Sequence, residues 1–271
     1  MDNNDPNFVP PAPRPFKIED DNPAPTPQPE DQQQRAPGGR FTNTPGTMIV
    51  IAANVAVFLA MCATSGGQAF LDPASAQLMK WGANYGPDTL SGAWWRLVTN
   101  TFVHGGIIHI GMNMYILSDI GRGVERMYGT GKFFAIYLLA GIGGSIVSIF
   151  ANPNVLSVGA SGAVFGCFGA FMVLLRNHSN SFDPLYLKSV WRSLITLLVF
   201  NLIYGFSRAG IDNFAHIGGF LTGILAGACV MPKRLGDRHW TKQDFAWSAL
   251  LLVMLAATAY SESLNTGAST H

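Results

Sequence analysis

The sequence predicts an all-α polytopic membrane protein. Three observations carry this reading. Only 12% of the 271 residues are charged while 48% are hydrophobic. Apolar runs close to the ~20 residues that cross a bilayer recur from Thr47 onward. Lys and Arg gather in alternate connections between those runs. A soluble domain carries about 25% charged residues, so this chain either resides in lipid or aggregates. Its net charge of +1 gives no electrostatic footprint for nucleic acid, and no nucleic-acid partner is expected.

The elements follow in order. Residues 1–46 hold eleven of the sixteen prolines, several acidic residues and the run Gln32–Gln34. This stretch has no apolar period and cannot bury a core, so it reads as a disordered Pro-rich tail. No apolar segment lies near Met1, and a secretory signal is not expected. Seven candidate spans follow at roughly 47–64, 104–121, 132–150, 161–175, 190–206, 213–231 and 245–260. The spans at 104–121 and 161–175 are the least apolar, because they carry His, Asn, Ser and many Gly. Residues 47–231 would form the core. Residues 232–271 would supply a cytoplasmic loop, a seventh transmembrane helix and a short tail.

Basic residues set the orientation. Arg35 and Arg40 precede the first span, and Arg122, Arg126 and Lys132 follow the second. Arg176, Lys188 and Arg192 follow the fourth, and Lys233, Arg234, Arg238 and Lys242 follow the sixth. The alternate connections hold only Lys80, Arg96 and Arg208. The N-terminus is therefore expected inside the cell and the C-terminus outside. Together with the missing targeting signal, this fits a multi-pass protein of a bacterial plasma (inner) membrane. The outward segment 65–103 contains Phe70, Leu71, Trp81, Tyr85, Trp94 and Trp95. Aromatics mixed with polar residues suit the headgroup layer, so short interfacial helices are expected there.

Polar groups inside a span are costly and call for a reason. The second span opens with His104, His109 and Asn113, the last two sharing one helix face at i and i+4. The fourth opens Gly159-Ala160-Ser161-Gly162, and the sixth opens Ala215-His216. All three spans start from the outer side, so these residues share one depth. Gly162 and Gly166, and Gly219, Gly223 and Gly227, recur at four-residue spacing, which lets helix backbones approach closely. If those faces meet, Ser161 and His216 meet.

Such a pair has chemistry. A serine hydroxyl becomes a nucleophile when a base takes its proton, and neutral His is the usual base near neutral pH. With no Asp or Glu read at the same depth, a dyad is favoured over a triad. His109, Asn113 and the backbone N–H of Ser161 can donate to a developing oxyanion. Each residue also has an ordinary explanation. A lone Ser in a membrane helix bonds back to its own helix, and a lone His or Asn acts as interhelical glue. Convergence of five such residues at one depth weighs against those readings. His104, His109 and His216 lack the His-Glu-x-x-His pattern and any companion carboxylate, so no metal is expected. Cys62, Cys167 and Cys229 lie in apolar runs without zinc or disulfide spacing and read as small buried hydrophobes. No cofactor is expected.

These residues resemble those of the rhomboid family of intramembrane serine proteases. Gly159-Ala160-Ser161-Gly162 is similar to that family's Gly-x-Ser-Gly motif. His104…His109…Asn113 resembles its second-span motif, and Ala215-His216 with Gly219 and Gly223 its sixth-span motif. Trp95-Arg96 resembles its first-loop signature, and Val124-Glu125-Arg126 with Gly129 and Gly131 its second-loop segment. The resemblance covers about residues 47–231. It implies a rhomboid-like six-helix bundle with one C-terminal transmembrane helix appended. It implies a catalytic dyad of Ser161 and His216, with His109, Asn113 and the Ser161 backbone at the oxyanion, and His104 and Gly159 in support. The implied activity is a serine-type endopeptidase, its partners being transmembrane protein substrates and the lipid bilayer. Those substrates would be single-span proteins cut in the outer part of their helix. Phe165 stands where many members have Tyr, so a hydroxyl contact to His216 is lost while ring packing remains possible. Trp95, Arg96, Glu125 and Arg126 read as structural. The alternatives are a non-catalytic rhomboid-like protein that binds membrane clients, and a transporter. The retained Ser161 and His216 argue against the first, and the lack of an internal repeat against the second.

Overall fold

The computed structural model describes residues 43–65, 67–207 and 211–268. The expected Pro-rich tail up to residue 42, and Arg208, lie outside the described residues. Seven long helices dominate: α1 (Pro45–Thr64), α5 (Ile107–Tyr128), α6 (Thr130–Ala151), α7 (Ser161–Asn177), α8 (Pro184–Ser207), α9 (Asn213–Cys229) and α10 (Lys242–Ala268). The connection after α1 holds three short helices, α2 (Ser75–Trp81), α3 (Gly86–Leu90) and α4 (Arg96–Thr99). No strand occurs among the described residues, and an isolated bridge pairs Asn84 with Ser157. The helix α1, the helix α6, Pro184–Ile203 of α8 and Lys242–Ser261 of α10 are long and apolar enough to cross a bilayer. The 17-residue helices α7 and α9 are about 26 Å long at 1.5 Å per residue. They fall short of the ~30 Å hydrocarbon thickness, so their first turns can sit below the membrane surface.

The centre of the bundle is the trio α6, α7 and α9, and glycine makes it possible. A Cβ on Gly219 would run into the backbone of Gly162, and one on Gly223 into the backbone of Gly166. A Cβ on Gly227 would lie 2.8 Å from Cα of Ala170, and one on Gly144 2.6 Å from the Ala215 carbonyl oxygen. The helices meet backbone to backbone, which brings the attraction of many close atom pairs into an interface that lipid cannot enter. Around them Leu117, Val124, Phe133, Ile136, Ala163 and Cys167 are fully buried. The outer helices differ. On α8, Leu185, Tyr186, Ile195, Val199 and Ile203 are exposed, as are Phe245, Leu252, Val253 and Met254 on α10, in keeping with contact to lipid.

The expected second span, 104–121, is displaced. The helix begins three residues later, leaving His104 in the preceding connection, and continues to Tyr128. Glu125 and Arg126, expected in an inner loop, therefore belong to the last turn of α5, and Gly129 alone, with φ 85°, joins α5 to α6. The reason is that Glu125 is not solvated. Its buried carboxylate accepts from Gly46 N at 2.8 Å, Thr47 N at 2.7 Å, Thr47 Oγ1 at 2.7 Å and Thr130 Oγ1 at 2.8 Å. It caps the otherwise unsatisfied N–H groups of α1 and sits at the positive end of that helix dipole. Pro45, in the first turn of α1, has no N–H to satisfy. On the same side, buried Lys132 of α6 pairs with Asp244 of α10 at 3.1 Å. Asp244 Oδ2 also accepts from Thr241 N, and Thr241 Oγ1 accepts from Asp244 N, closing a reciprocal cap on α10.

On the other side, Arg96 organises the long first connection. Its Nη1 donates to the carbonyls of Met79 at 2.9 Å and Ala83 at 2.8 Å, and its Nη2 pairs with Asp88 at 3.3 Å. Phe70, Leu71 and Trp95 are exposed on this connection. Replacing Glu125 with Ala should leave the α1 N–H groups unsatisfied in a buried place, costing about 3 kcal/mol. Thermal or SDS unfolding of purified protein reads this directly. A loss below about 1 kcal/mol would show that the carboxylate is dispensable to the fold.

Candidate active site

The first turn of α7 begins at Ser161, with Ala160 as its N-cap. Gly159 enters this turn with φ 111°, a left-handed conformation that favours glycine. Space adds a second reason, because a Cβ there would lie 2.7 Å from both Cε1 and Nε2 of His109. The turn is pinned from two directions. Gly159 N donates to the Asn100 carbonyl at 2.9 Å, and Ala160 N donates to His104 Nε2 at 3.3 Å. The Asn100 side chain is held in turn by buried Ser145 of α6, at 2.9 Å. The first intrahelical bond of α7 runs from Val164 N to Ala160 O at 2.9 Å. The N–H groups of Ser161, Gly162 and Ala163 precede it, at the positive end of the helix dipole.

The histidine tautomers follow from their neighbours. His104 is fully buried, and its Nδ1 faces the Phe102 carbonyl at 3.3 Å, which fixes Nδ1 as donor and Nε2 as acceptor. His109 Nδ1 accepts from Gly105 N at 3.2 Å, so its proton resides on Nε2, the edge that faces Gly159. The His104 and His109 rings meet edge to face, 5.2 Å apart. Asn113 is buried, and its Nδ2 donates to the His109 carbonyl at 2.9 Å and would lie 3.7 Å from a Cβ on Gly159.

His216 comes from the first turn of α9. Its Nε2 lies 2.8 Å from Ser161 Oγ. The Phe165 ring, one turn along α7 from Ser161, stacks on the imidazole with centroids 4.4 Å apart and planes 3° from parallel. The hydroxyl absent from Phe165 is therefore not needed to hold the ring face. Close packing sets the Ser–His distance: a Cβ on Gly162 would meet the carbonyl of Ala215, the residue before His216, at 3.3 Å. The structure thus brings His104, His109, Asn113, Gly159, Ser161 and His216 to one place. Among the described residues, no group of three His, Cys, Asp or Glu is arranged to hold a metal ion.

Sequence reasoning passed over Asp212, which stands just outside the expected span. It is the N-cap of α9, its Oδ1 accepting from Ala215 N at 3.0 Å. The signal was present: an acidic cap residue immediately before an apolar run, four positions ahead of His216.

The rhomboid domain model matches residues 91–233, from the first connection through α9. The chain belongs to the rhomboid family. It is 36% identical over 231 residues to Rhomboid protease GluP of Bacillus subtilis, an alignment covering 83% of this chain and 42% of that protein. It is 31% identical over 192 residues to Rhomboid-like protease 3 of Toxoplasma gondii, covering 69% and 70% of the two chains. Rhomboid-type serine protease 2 of Emericella nidulans is 34% identical over 152 residues, covering 54% of this chain and 29% of its own length. The chain spans about half or less of the length of several of the curated relatives it matches, 42% for the Bacillus subtilis protein and 44% for RHOMBOID-like protein 4 of Arabidopsis thaliana. The helical bundle is that of a rhomboid-like integral membrane protein, with α10 beyond the matched domain.

In this rhomboid the α7–α9 seam should be intolerant of any side chain. Gly223→Val drives new atoms into the Gly166 backbone and should cost roughly 1–3 kcal/mol, as overpacking does. Gly111→Ala, whose Cβ meets nothing within 4 Å, should equal or exceed the unmodified protein in thermal unfolding. Equal melting of the two variants would refute the seam as the limiting contact.

Proposed function

We propose that this rhomboid is an intramembrane serine endopeptidase that cuts transmembrane segments of single-span membrane proteins through an acyl-enzyme. The observation that carries the reading is the 2.8 Å contact between Ser161 Oγ and His216 Nε2. It is a nucleophile–base geometry in a partly buried setting. The relatives named as proteases support the same class.

The steps follow from the groups present. Ser161 Oγ attacks the scissile carbonyl carbon while its proton passes to His216 Nε2. Negative charge builds on the carbonyl oxygen, and the Ser161 N–H, His109 Nε2–H and an Asn113 Nδ2–H are the candidate donors to it. A preorganised donor of this kind is worth roughly 3–4 kcal/mol in transition-state stabilisation. Collapse of the tetrahedral intermediate breaks the C–N bond, and His216 returns the proton to the leaving amine. Water then attacks the Ser161 ester with His216 again as base, releasing the carboxylate product and restoring the hydroxyl. His104 and Gly159 act indirectly, by holding the turn from which Ser161 projects.

A substrate helix hides its peptide bonds in its own hydrogen bonds, so it must unwind locally to present one. Substrates with Gly or Pro near the cut should be preferred, since these residues lower the cost of unwinding. The basic residues flanking alternate helices favour an orientation with the N-terminus and α10 loop in the cytoplasm, the site in the outer half, and a bacterial inner membrane as host. On this reading residues 47–231 form the catalytic core, and 232–271 append a loop and the helix α10.

Ser161→Ala and His216→Ala, assayed separately in proteoliposomes on a fluorescent single-span substrate, should each lose at least ~10³-fold in kcat. A fluorophosphonate should label the unmodified protein and not Ser161→Ala. Cleavage by Ser161→Ala would defeat the mechanism. Binding of the substrate without cleavage or labelling would favour the client-binding alternative.

A further inference from the structure

The Ser161–His216 pair leaves half of the imidazole unaccounted for. His216 Nδ1 is buried and has no hydrogen-bond partner. One turn back on the same helix, Asp212 Oδ2 is likewise buried without a partner, while its other oxygen, Oδ1, caps the helix at Ala215 N. Residues four apart on a helix face one another, and the His216 N–H reaches back to the Asp212 carbonyl at 3.3 Å. A buried imidazole nitrogen and a buried carboxylate oxygen, each without a partner, thus stand on adjacent turns at the base of the site. Buried polar atoms are nearly always paired, so two orphans at one place call for a common explanation.

We propose that Asp212 is a positioning residue for the reaction: its free carboxylate oxygen takes the His216 Nδ1–H, through a small rotation or one intervening water. The inference rests on the Ser161–His216 reading above and extends it. The consequences are chemical. With the proton held on Nδ1, Nε2 presents its lone pair to Ser161 Oγ, the tautomer a general base requires. When Ser161 gives up its proton the imidazole becomes a cation, and an anion one turn away stabilises that state. Asp212 itself gains and loses no proton. The other ionisable groups near the imidazole are His109, whose Nδ1 is taken by Gly105 N, and His104, whose nitrogens are taken by Phe102 O and Ala160 N. Neither supplies a negative charge. Asn213 Oδ1 is also buried without a partner, but it is neutral and its amide faces Leu202 and Gly205 of α8, so Asp212 is the anionic acceptor at this turn.

The Asp212 carboxylate has two separable jobs, and substitution separates them. Asn and Ser both cap helices well, so Asp212→Asn and Asp212→Ser keep the start of α9 while removing the charge. Each should melt with the unmodified protein and keep KM within about twofold. In each, kcat and the rate of fluorophosphonate labelling should fall together by about tenfold or more, the loss expected when a general base is weakened but not removed. Asp212→Glu, which restores the charge, should recover part of that loss. Turnover within about twofold of the unmodified protein in both Asn and Ser variants would overturn the proposal. So would a loss expressed only in KM or only in melting temperature. Ser161→Ala measured alongside keeps the two levels apart. An unmodified protein that neither cleaves nor labels overturns the protease reading and this inference together. An active one that is indifferent to Asp212 overturns this inference alone.

Discussion

Backbone-to-backbone contact of α6, α7 and α9 is the constraint on which the rest depends. Lipid tails are as apolar as leucine, so there is no hydrophobic drive to hold helices together inside a bilayer. What remains is dispersion, which rewards the closest approach, and approach is limited by side chains. Gly162, Gly166, Gly219 and Gly223 remove that limit on both faces of one seam. The same seam carries Ser161 at the start of one helix and His216 at the start of the other. Their 2.8 Å separation is therefore a result of packing along the whole α7–α9 contact. Loop geometry sets it only locally.

A bundle packed this way must still satisfy its helix ends. Three helix starts have a dedicated side-chain partner. Glu125 closes the start of α1, Thr241 and Asp244 close the start of α10, and Asp212 closes the start of α9. Two of these carboxylates carry a further partner, Thr130 for Glu125 and Lys132 for Asp244. The third, Asp212, keeps an oxygen free beside His216. Seen together, the caps explain why charged residues are tolerated in a chain so poor in them. They are used where an unsatisfied N–H would otherwise cost more than burying a paired charge.

Much of this was legible in the sequence, because membrane burial writes a strong signal. Long apolar runs, alternating basic connections and glycines at four-residue spacing each follow from the absence of water. They located seven helices and the three polar openings that converge at the site. Boundaries were less legible where a charge is neutralised by a distant residue. Nothing near Glu125 in sequence announces that Gly46 and Thr47, about 78 positions away, will satisfy it, so the end of α5 was drawn too early. Asp212 was missed for the opposite reason. Its cap role is local and readable, but its second oxygen acquires meaning only when His216 is known to have a vacant nitrogen, which is a property of the folded site.

The placement of the site at helix starts has a physical logic of its own. Ser161 is the first residue of α7, His216 stands in the first turn of α9, and His104 lies just ahead of α5. A helix start offers free N–H groups and a partial positive charge, which in a low-dielectric interior act strongly on a developing oxyanion. It is also where the backbone is least committed to internal bonds, so polar groups can be presented to a substrate without breaking the helix that holds them. In α7 and α9, too short to span the hydrocarbon unaided, these starts can lie beneath the membrane surface. The shortness of the two helices thus suits the chemistry proposed for them, since helix starts recessed below the surface would meet a transmembrane substrate within the bilayer.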